Sequence, residues 1–305
     1  MDVRDLKVFE TVARCQSINR AAMELNTVQS NVTARVRMLE TELGVSLFER
    51  RPSGMKLTVA GERLLPYAFE VRAVISNAKR AIADAGVPGG QLLIGMRKST
   101  SAMHLTNLLS SYLAAHPQVD VQIHTENSLA LVNMVLERRL DGAFVCSIGE
   151  HRDLVGETVF DEELVVISGP DVEDLAELAA DARMILLGQG SIYQPQLEAV
   201  LARQGIAAPR VMELGTLENL MGCVSAGLGV TLLPIGVVKA FSGTKVRMHR
   251  VADEDCRVQT VFVRRRDGYV SSTLSSFIAN ARAYSRGLKP ADASFAPHLA
   301  QLCAG

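Results

Sequence analysis

The chain has 305 residues, 48% hydrophobic and 21% charged, with a formal net charge of −1. That length points to about two domains, and the balance excludes a disordered chain, a collagen-like repeat and a coiled-coil rod. The near-zero total gives no global pull toward nucleic acid, yet residues 1–87 hold 13 Lys and Arg against 10 Asp and Glu, a mildly basic front end.

The first residues, MDVRDLKVFE, lack the apolar core of a signal peptide. The longest apolar stretch, Val224 to Val238, is broken by Gly227, Gly229, Pro234 and Gly236. It is shorter than the roughly 20 residues that a bilayer requires. A soluble, cytoplasmic protein with no membrane partner is expected. The five cysteines are scattered without CxxC spacing, as in reduced cytosolic chains.

Leu6, Phe9, Val12 and Ala13 recur at helical spacing. Ser17 offers an N-cap for a short second helix carrying Ala21, Ala22 and Leu25. A third helix is expected from about Gln29 to Leu43, with Val32, Val36, Leu39 and Leu43 as its buried stripe. Pro52, Ser53 and Gly54 then make a turn between two extended pieces. Three helices and a hairpin outline a winged helix-turn-helix over residues 1–60. With the apolar stripe buried, Gln29, Ser30, Thr33 and Arg37 project on the opposite face. Gln pairs with adenine, Ser and Thr reach bases or backbone, and Arg reaches guanine or phosphate. Arg50, Arg51 and Lys56 sit in the hairpin, where a wing meets phosphates. Each of these positions is equally open to a plainer reading, as the solvated face of a small helical domain.

Residues 61–88 read as a linker and dimerisation helix. Leu64, Leu65, Ala68, Val71, Val74, Ile75, Ala78 and Ile82 repeat every three to four residues. A second copy of the helix is the simplest cover for that face. From residue 89 the texture becomes α/β, with strand signals at QLLIGM, VDVQIH, GAFVC, LVVIS, MILL, VMEL, GVTLL and VQTVFV. Helical segments are expected near 101–115, 128–138, 173–180, 192–204, 217–226 and 270–286. The alternation predicts a largely parallel sheet in two subdomains, I at about 91–167 and 266–305, and II at about 168–265. Hinge crossings are expected near Ser168–Gly169 and Arg264–Arg266.

In such sheets ligands bind beyond strand ends, often at helix N-termini. Three such places are Arg97 to Ser101, Thr125 to Ser128, and Gly215–Thr216. Their hydroxyls, helix amides and cations suit a small anion, most simply a carboxylate. Of the adjacent cations, Lys98 joins the candidate set, since one of the pair can face solvent. Ser and Thr at helix starts are also ordinary N-caps. No HExxH, Walker loop or GxGxxG context occurs, and no catalytic trio, metal site or cofactor is expected. Cys223 reads as a buried structural thiol.

Over residues 9–65 the chain resembles the N-terminal domain of LysR-type transcriptional regulators. The marks are Phe9, Ala13, Ser17, Ala21–Ala22, Leu25, Gln29–Ser30, Leu39–Glu40, Leu43–Gly44, Leu47–Phe48, Arg50, Leu57–Thr58 and Ala60–Gly61. Two positions depart from the pattern: Val28 stands where Ser or Thr usually precedes the glutamine, and Ser53 where a second wing Arg is common. The resemblance implies a periplasmic-binding-protein-type effector module, homodimers or homotetramers, promoter DNA as partner and RNA polymerase as a further one. It also implies that a small-molecule effector contacts Ser99, Thr100, Asn127, Ser128 and Thr216. A solute-binding protein with an oligomerisation appendage and no DNA function is the rival class. A DNA-tethered enzyme would need a catalytic constellation that the sequence does not show.

Overall fold

The computed structural model describes residues 1–288 apart from 53, 147–148, 150, 179–181, 189–190, 207–208 and 252–256. They form two units: Met1–Gly86 with Leu136–Leu140, and Val87–Val135 with the chain from Asp141 on.

The first unit opens with α1 (Val3–Cys15), begun by a capping box in which Asp2 and Asp5 each accept the other's backbone N–H. Ser17 caps α2 (Ile18–Glu24), accepting from the Arg20 amide. Helix α3 runs Gln29–Leu43 and ends at Gly44, φ 68°. It buries Val32, Val36 and Leu39, but Leu43 is 38% exposed, because the core receiving this stripe stops at Leu39. Strands β1 (Phe48–Arg51) and β2 (Gly54–Leu57) pair antiparallel, Phe48 opposite Leu57 and Arg51 opposite Gly54. Two contacts fix this hairpin. The Glu40 carboxylate accepts from the Leu47 and Phe48 amides at 2.7 and 3.2 Å. The Met55 amide donates to the Gln16 carbonyl at 2.9 Å.

Helix α4 spans Val59–Ala83 and is capped by Thr58, whose hydroxyl accepts from the Gly61 amide. Gly61 is required here: a Cβ would lie 2.2 Å from the Leu47 carbonyl oxygen. Pro66 lies on the exposed side, where the carbonyl it leaves unpaired can be hydrated. The start of α4 is not free of the winged domain. Ala68 is buried in the three-helix core, Leu64, Leu65 and Val71 pack against it, and Arg72 pairs with Glu10 of α1 at 2.9 Å.

The second unit runs β3 (Gly90–Met96), α5 (Lys98–Ala115), β4 (Val119–Thr125), α6 (Ser128–Leu136), β5 (Gly142–Cys146) and β6 (Leu154–Ser168). A 3₁₀ turn (Leu175–Glu177) leads to β7 (Arg183–Leu187), α7 (Gln194–Arg203), β8 (Arg210–Leu214), α8 (Leu217–Ser225) and β9 (Thr231–Pro234). Last come α9 (Ile235–Ala240), β10 (Arg247–Arg250), β11 (Arg257–Arg265) and α10 (Ser272–Gly287). Pairing is mixed rather than largely parallel. Strand β3 is parallel to β4 and β5, and β7 to β8, while β6, β9, β10 and β11 pair antiparallel.

The subdomain boundaries also differ from those expected. LVVIS is the end of one 15-residue strand, β6, whose first part pairs with β11 up to Glu163 and whose last part pairs with β9 and β10 from Leu164. Strand β11 pairs with β5. It therefore belongs to subdomain I, although it lies within the expected 168–265 span. The polar residues Glu157, Asp161, Glu162 and Glu163 mask the strand pattern of β6 in the sequence. Aromatic rings hold subdomain I: Tyr112, Phe144, Phe160, Phe262 and Phe277 pack between helices α5 and α10 and the sheet.

His249 on β10 is half-buried, its Nε2 2.7 Å from the Ser168 hydroxyl. Burial, aided by Arg247, lowers its pKa below 6.5; Asp174 and Glu177 oppose this. A depressed histidine pKa contributes stability that is full above the unfolded value and is lost as pH falls below it. Urea unfolding at pH 7.5 and 5.5 should therefore show an acid-side loss in the wild type that is smaller in His249→Gln. An equal loss in both would remove His249 from the account.

Candidate nucleic-acid interface and ligand cavity

Val28 occupies the N-cap of α3 and supplies no side-chain bond, while the Thr27 hydroxyl accepts from the Asn31 side chain at 2.9 Å. The helix still begins at Gln29. The first amide with a helical acceptor is that of Asn31, so those of Gln29 and Ser30 stay open at an exposed helix start. Gln29, Ser30 and Arg37 are exposed. Thr33 is half-buried and lines a small groove with Arg37, Val36, Glu40 and Phe48. Arg37 has no ion pair among the described residues. On the hairpin, Arg51 donates to Glu49 at 2.8 Å, and Lys56 is exposed opposite Glu49. The Arg50 side chain lies outside the described residues, as does Ser53. Exposed pairs such as Arg51–Glu49 are worth only about 0–1 kcal/mol, so Arg51 can exchange its partner for a phosphate.

In the second unit a cavity of about 220 Å³ opens where the ends of β3, β4 and β7 meet β9. Subdomain I contributes Arg97, Lys98, Ser99, Glu126, Asn127 and Ser128. Subdomain II contributes Leu187, Gly188, Ser191, Ile192, Tyr193 and residues 231–233. Of the six candidates, Lys98, Ser99, Asn127 and Ser128 line the cavity, and Thr100 and Thr216 do not. Thr100 is fully buried, with no partner for its hydroxyl. Thr216 caps α8, accepting from the Asn219 amide at 3.2 Å. Asn127 likewise caps α6 through the Ala130 amide, and Ser128 accepts from the Cys146 amide.

The two cations take opposite places. Lys98 is exposed and its Nζ donates to the Gly215 carbonyl, 2.6 Å away. Arg97 is the buried one, at 5% exposure. Helix α5 starts at Lys98 instead of Ser101, so only Arg97 separates strand from helix, and its side chain is turned inward. Tyr193, Ser191 and Thr231 are further lining residues outside the candidate set. Tyr193 sits in a short GSIYQP segment with no periodicity to mark it. Burial pushes its hydroxyl pKa up, so it stays protonated. Cys223 is only half-buried against the core beside α8. Among the described residues no cluster of His, Cys, Asp or Glu could hold a metal ion, and no helix is long and apolar enough to cross a membrane.

A winged helix-turn-helix with an open polar helix, followed by an α/β unit built around a cavity, defines a DNA-binding transcriptional regulator with a substrate-binding domain. Residues 3–62 match the family profile described as bacterial regulatory helix-turn-helix protein, lysR family. Residues 85–286 match the LysR substrate binding domain. The chain belongs to the LysR family of transcriptional regulators. It is similar to the uncharacterized HTH-type transcriptional regulator YusT of Bacillus subtilis, 38% identical over 91% of this chain and 94% of that one. It is also similar to the HTH-type transcriptional regulator GltR of the same organism, 35% identical over 95% and 99%. Among solved structures, full-length OxyR from Pseudomonas aeruginosa matches with a TM-score of 0.70 at 22% identity, over 95% and 96% of the two chains. Full-length CbnR in complex with its target DNA matches with 0.66 at 21%, over 93% and 99%. At these identities the structural matches bear on fold alone.

Proposed function

We propose that this protein is a homo-oligomeric regulator that binds double-stranded promoter DNA in the cytoplasm and whose activity is set by a small anionic metabolite. Gln29, Ser30, Thr33 and Arg37 read the major groove, and Arg50, Arg51 and Lys56 meet phosphates from the wing. Lys98, Ser99, Asn127 and Ser128 face the effector; Thr100 and Thr216 act behind them, on α5 and α8. The observation that carries this reading is the exposed face of α3, whose Gln29, Ser30 and Arg37 have no intramolecular side-chain partner among the described residues. A polar helix face that makes no internal bonds, beside a basic hairpin, is suited to an external polyanion.

The test is selection of sheared host DNA by the full-length protein at one fixed, near-physiological salt concentration, with and without candidate metabolites. Enrichment of a few sites sharing an interrupted dyad, half-sites about 34 Å apart, is expected. No enrichment under any condition, from folded protein, would favour the solute-binding rival. In the same assay Gln29→Ala should relax base preference at one position per half-site. Arg50→Ala should weaken all sequences alike and reduce the salt slope by about one. Uniform loss for Gln29→Ala removes it as a base reader.

A further inference from the structure

We infer that the cavity takes a small monocarboxylate, that Arg97 is the residue that reads its charge, and that Tyr193 holds Arg97 in place from the other subdomain. The inference rests on the effector reading above and names the ligand class of that same cavity.

The Arg97 guanidinium is buried inside the second unit. Its Nη2 donates to the Ser99 hydroxyl at 2.6 Å and to the Tyr193 hydroxyl at 2.5 Å. The guanidinium carbon lies 5.3 Å from the Tyr193 ring centroid, within cation–π range. Its Nη1 is buried with no hydrogen-bond partner. No carboxylate pairs with Arg97 among the described residues. A buried charge without a counter-ion is strongly unfavourable, and a cavity that keeps one is built to receive the opposite charge.

A second feature converges on the same place. Helix α5 is 18 residues long and has no side-chain N-cap. Its first intrahelical bond runs from the Ser101 amide to the Arg97 carbonyl, which leaves the amides of Lys98, Ser99 and Thr100 without helical acceptors. Open amides at a helix start and a guanidinium with an unused edge together present donors for one oxyanion.

Charge and size narrow the class. Glu126 and Lys98 line the cavity as exposed groups of opposite sign. Among the lining residues the one buried charge is therefore that on Arg97, which a monoanion neutralises and a phosphate dianion overshoots. The planar guanidinium fork fits a carboxylate. At about 220 Å³ the cavity is smaller than the roughly 300–1,000 Å³ typical of drug-sized ligands. Leu187, Ile192 and Leu233 supply an apolar wall for a short carbon body.

The test uses full-length protein, thermal unfolding and calorimetric titration. The probes are acetate, propionate, butyrate and pentanoate, each against its neutral primary amide. At least one acid should bind and raise the melting temperature, and its amide should not. Arg97→Met should lose the acid response while melting at or above the wild-type temperature, since it removes an unpaired buried charge. Arg97→Lys keeps charge but loses the fork, and should bind the acid at least about tenfold more weakly. Tyr193→Phe should melt as the wild type yet bind the acid several-fold more weakly. No response of the wild type to any acid, equal response to acids and amides, or an undiminished acid response in both Arg97 variants overturns the inference. The assay contains no DNA. Site enrichment without an acid response therefore rejects only this inference, and an acid response without enrichment rejects only the DNA-binding role.

Discussion

Glu40→Ala is expected to destabilise the N-terminal unit by about 3 kcal/mol or more, because two hydrogen bonds to a charged acceptor are lost together. One carboxylate oxygen of Glu40 receives both the Leu47 and the Phe48 amides. These amides lie where the chain leaves α3 and enters β1, and Leu47 and Phe48 are themselves buried. Without Glu40 the two N–H groups lose their acceptor at the edge of the core. The hairpin is then held to α3 mainly by apolar packing, so the placement of Lys56 and Arg51 relative to α3 loosens as well. Glu40→Gln keeps an acceptor oxygen at the same place and should cost about 1 kcal/mol, the difference between charged and neutral acceptors. Chemical unfolding followed by circular dichroism gives the stabilities, and DNA titration gives the loss of wing placement. A cost for Glu40→Ala within the roughly 0.5 kcal/mol of an ordinary surface change would show that the two bonds do not anchor the wing.

Much of the first unit is legible because its signals are local. Ser17 caps α2, and the helix Gln29–Leu43 follows from an apolar stripe that Gly44 brings to an end. Even Val28, which cannot cap, does not move the start of α3, since the Gln29 turn is held by packing of Val32 and Val36. The same stripe rule overreaches at Leu43, which periodicity places on the buried face and which the finite width of the core leaves outside. The hidden part of β6 has a different origin. Its strand character comes from pairing with β11, about 100 residues later in the chain, and from alternation in which Glu157, Asp161 and Glu163 are the partly or fully solvent-facing partners. Such pairing leaves no local mark. Strand β10 and helix α9 are missed for a similar reason: each is short, and each is stabilised by what it packs on, not by its own pattern.

The cavity is legible as a place and less so as a set of side chains. Strand ends followed by helix starts locate Lys98, Ser99, Asn127 and Ser128 at the cavity, because topology brings those ends together. Which of two adjacent cations turns inward depends on whether the helix starts at Lys98 or at Ser101. Three residues of register decide it, and no cap residue marks the start. Tyr193 and Thr231 enter from strands and turns of the other subdomain, so only the assembled unit shows them beside Arg97.

A charged substitution on the exposed stripe of α4 should reduce DNA affinity by roughly 10²–10⁴ without unfolding the chain. Tyr67, Val74 and Ile82 are 66, 54 and 88% exposed. With Ala78, also exposed, they fall within an arc of about 80° on a helix of 3.6 residues per turn. An adjoining side of the helix, through Ala68 and Val71, already serves the core of the first unit. The exposed stripe is therefore a second apolar face on one helix, and three large apolar residues held in water along about four turns favour pairing with another copy. If the pair forms, each half-site contact makes the other intramolecular, and affinity rises well beyond that of one winged domain. Val74→Glu with Ile82→Glu places like charges on both copies, opposing the pair while leaving the buried side of α4 untouched. Light scattering on the full chain should then show a smaller assembly. A probe with two half-sites should lose affinity by the stated factor, and a probe with a single half-site should lose little. If the double variant keeps the wild-type assembly and the wild-type affinity for both probes, this face does not join two copies, and the bivalent geometry must come from elsewhere in the chain.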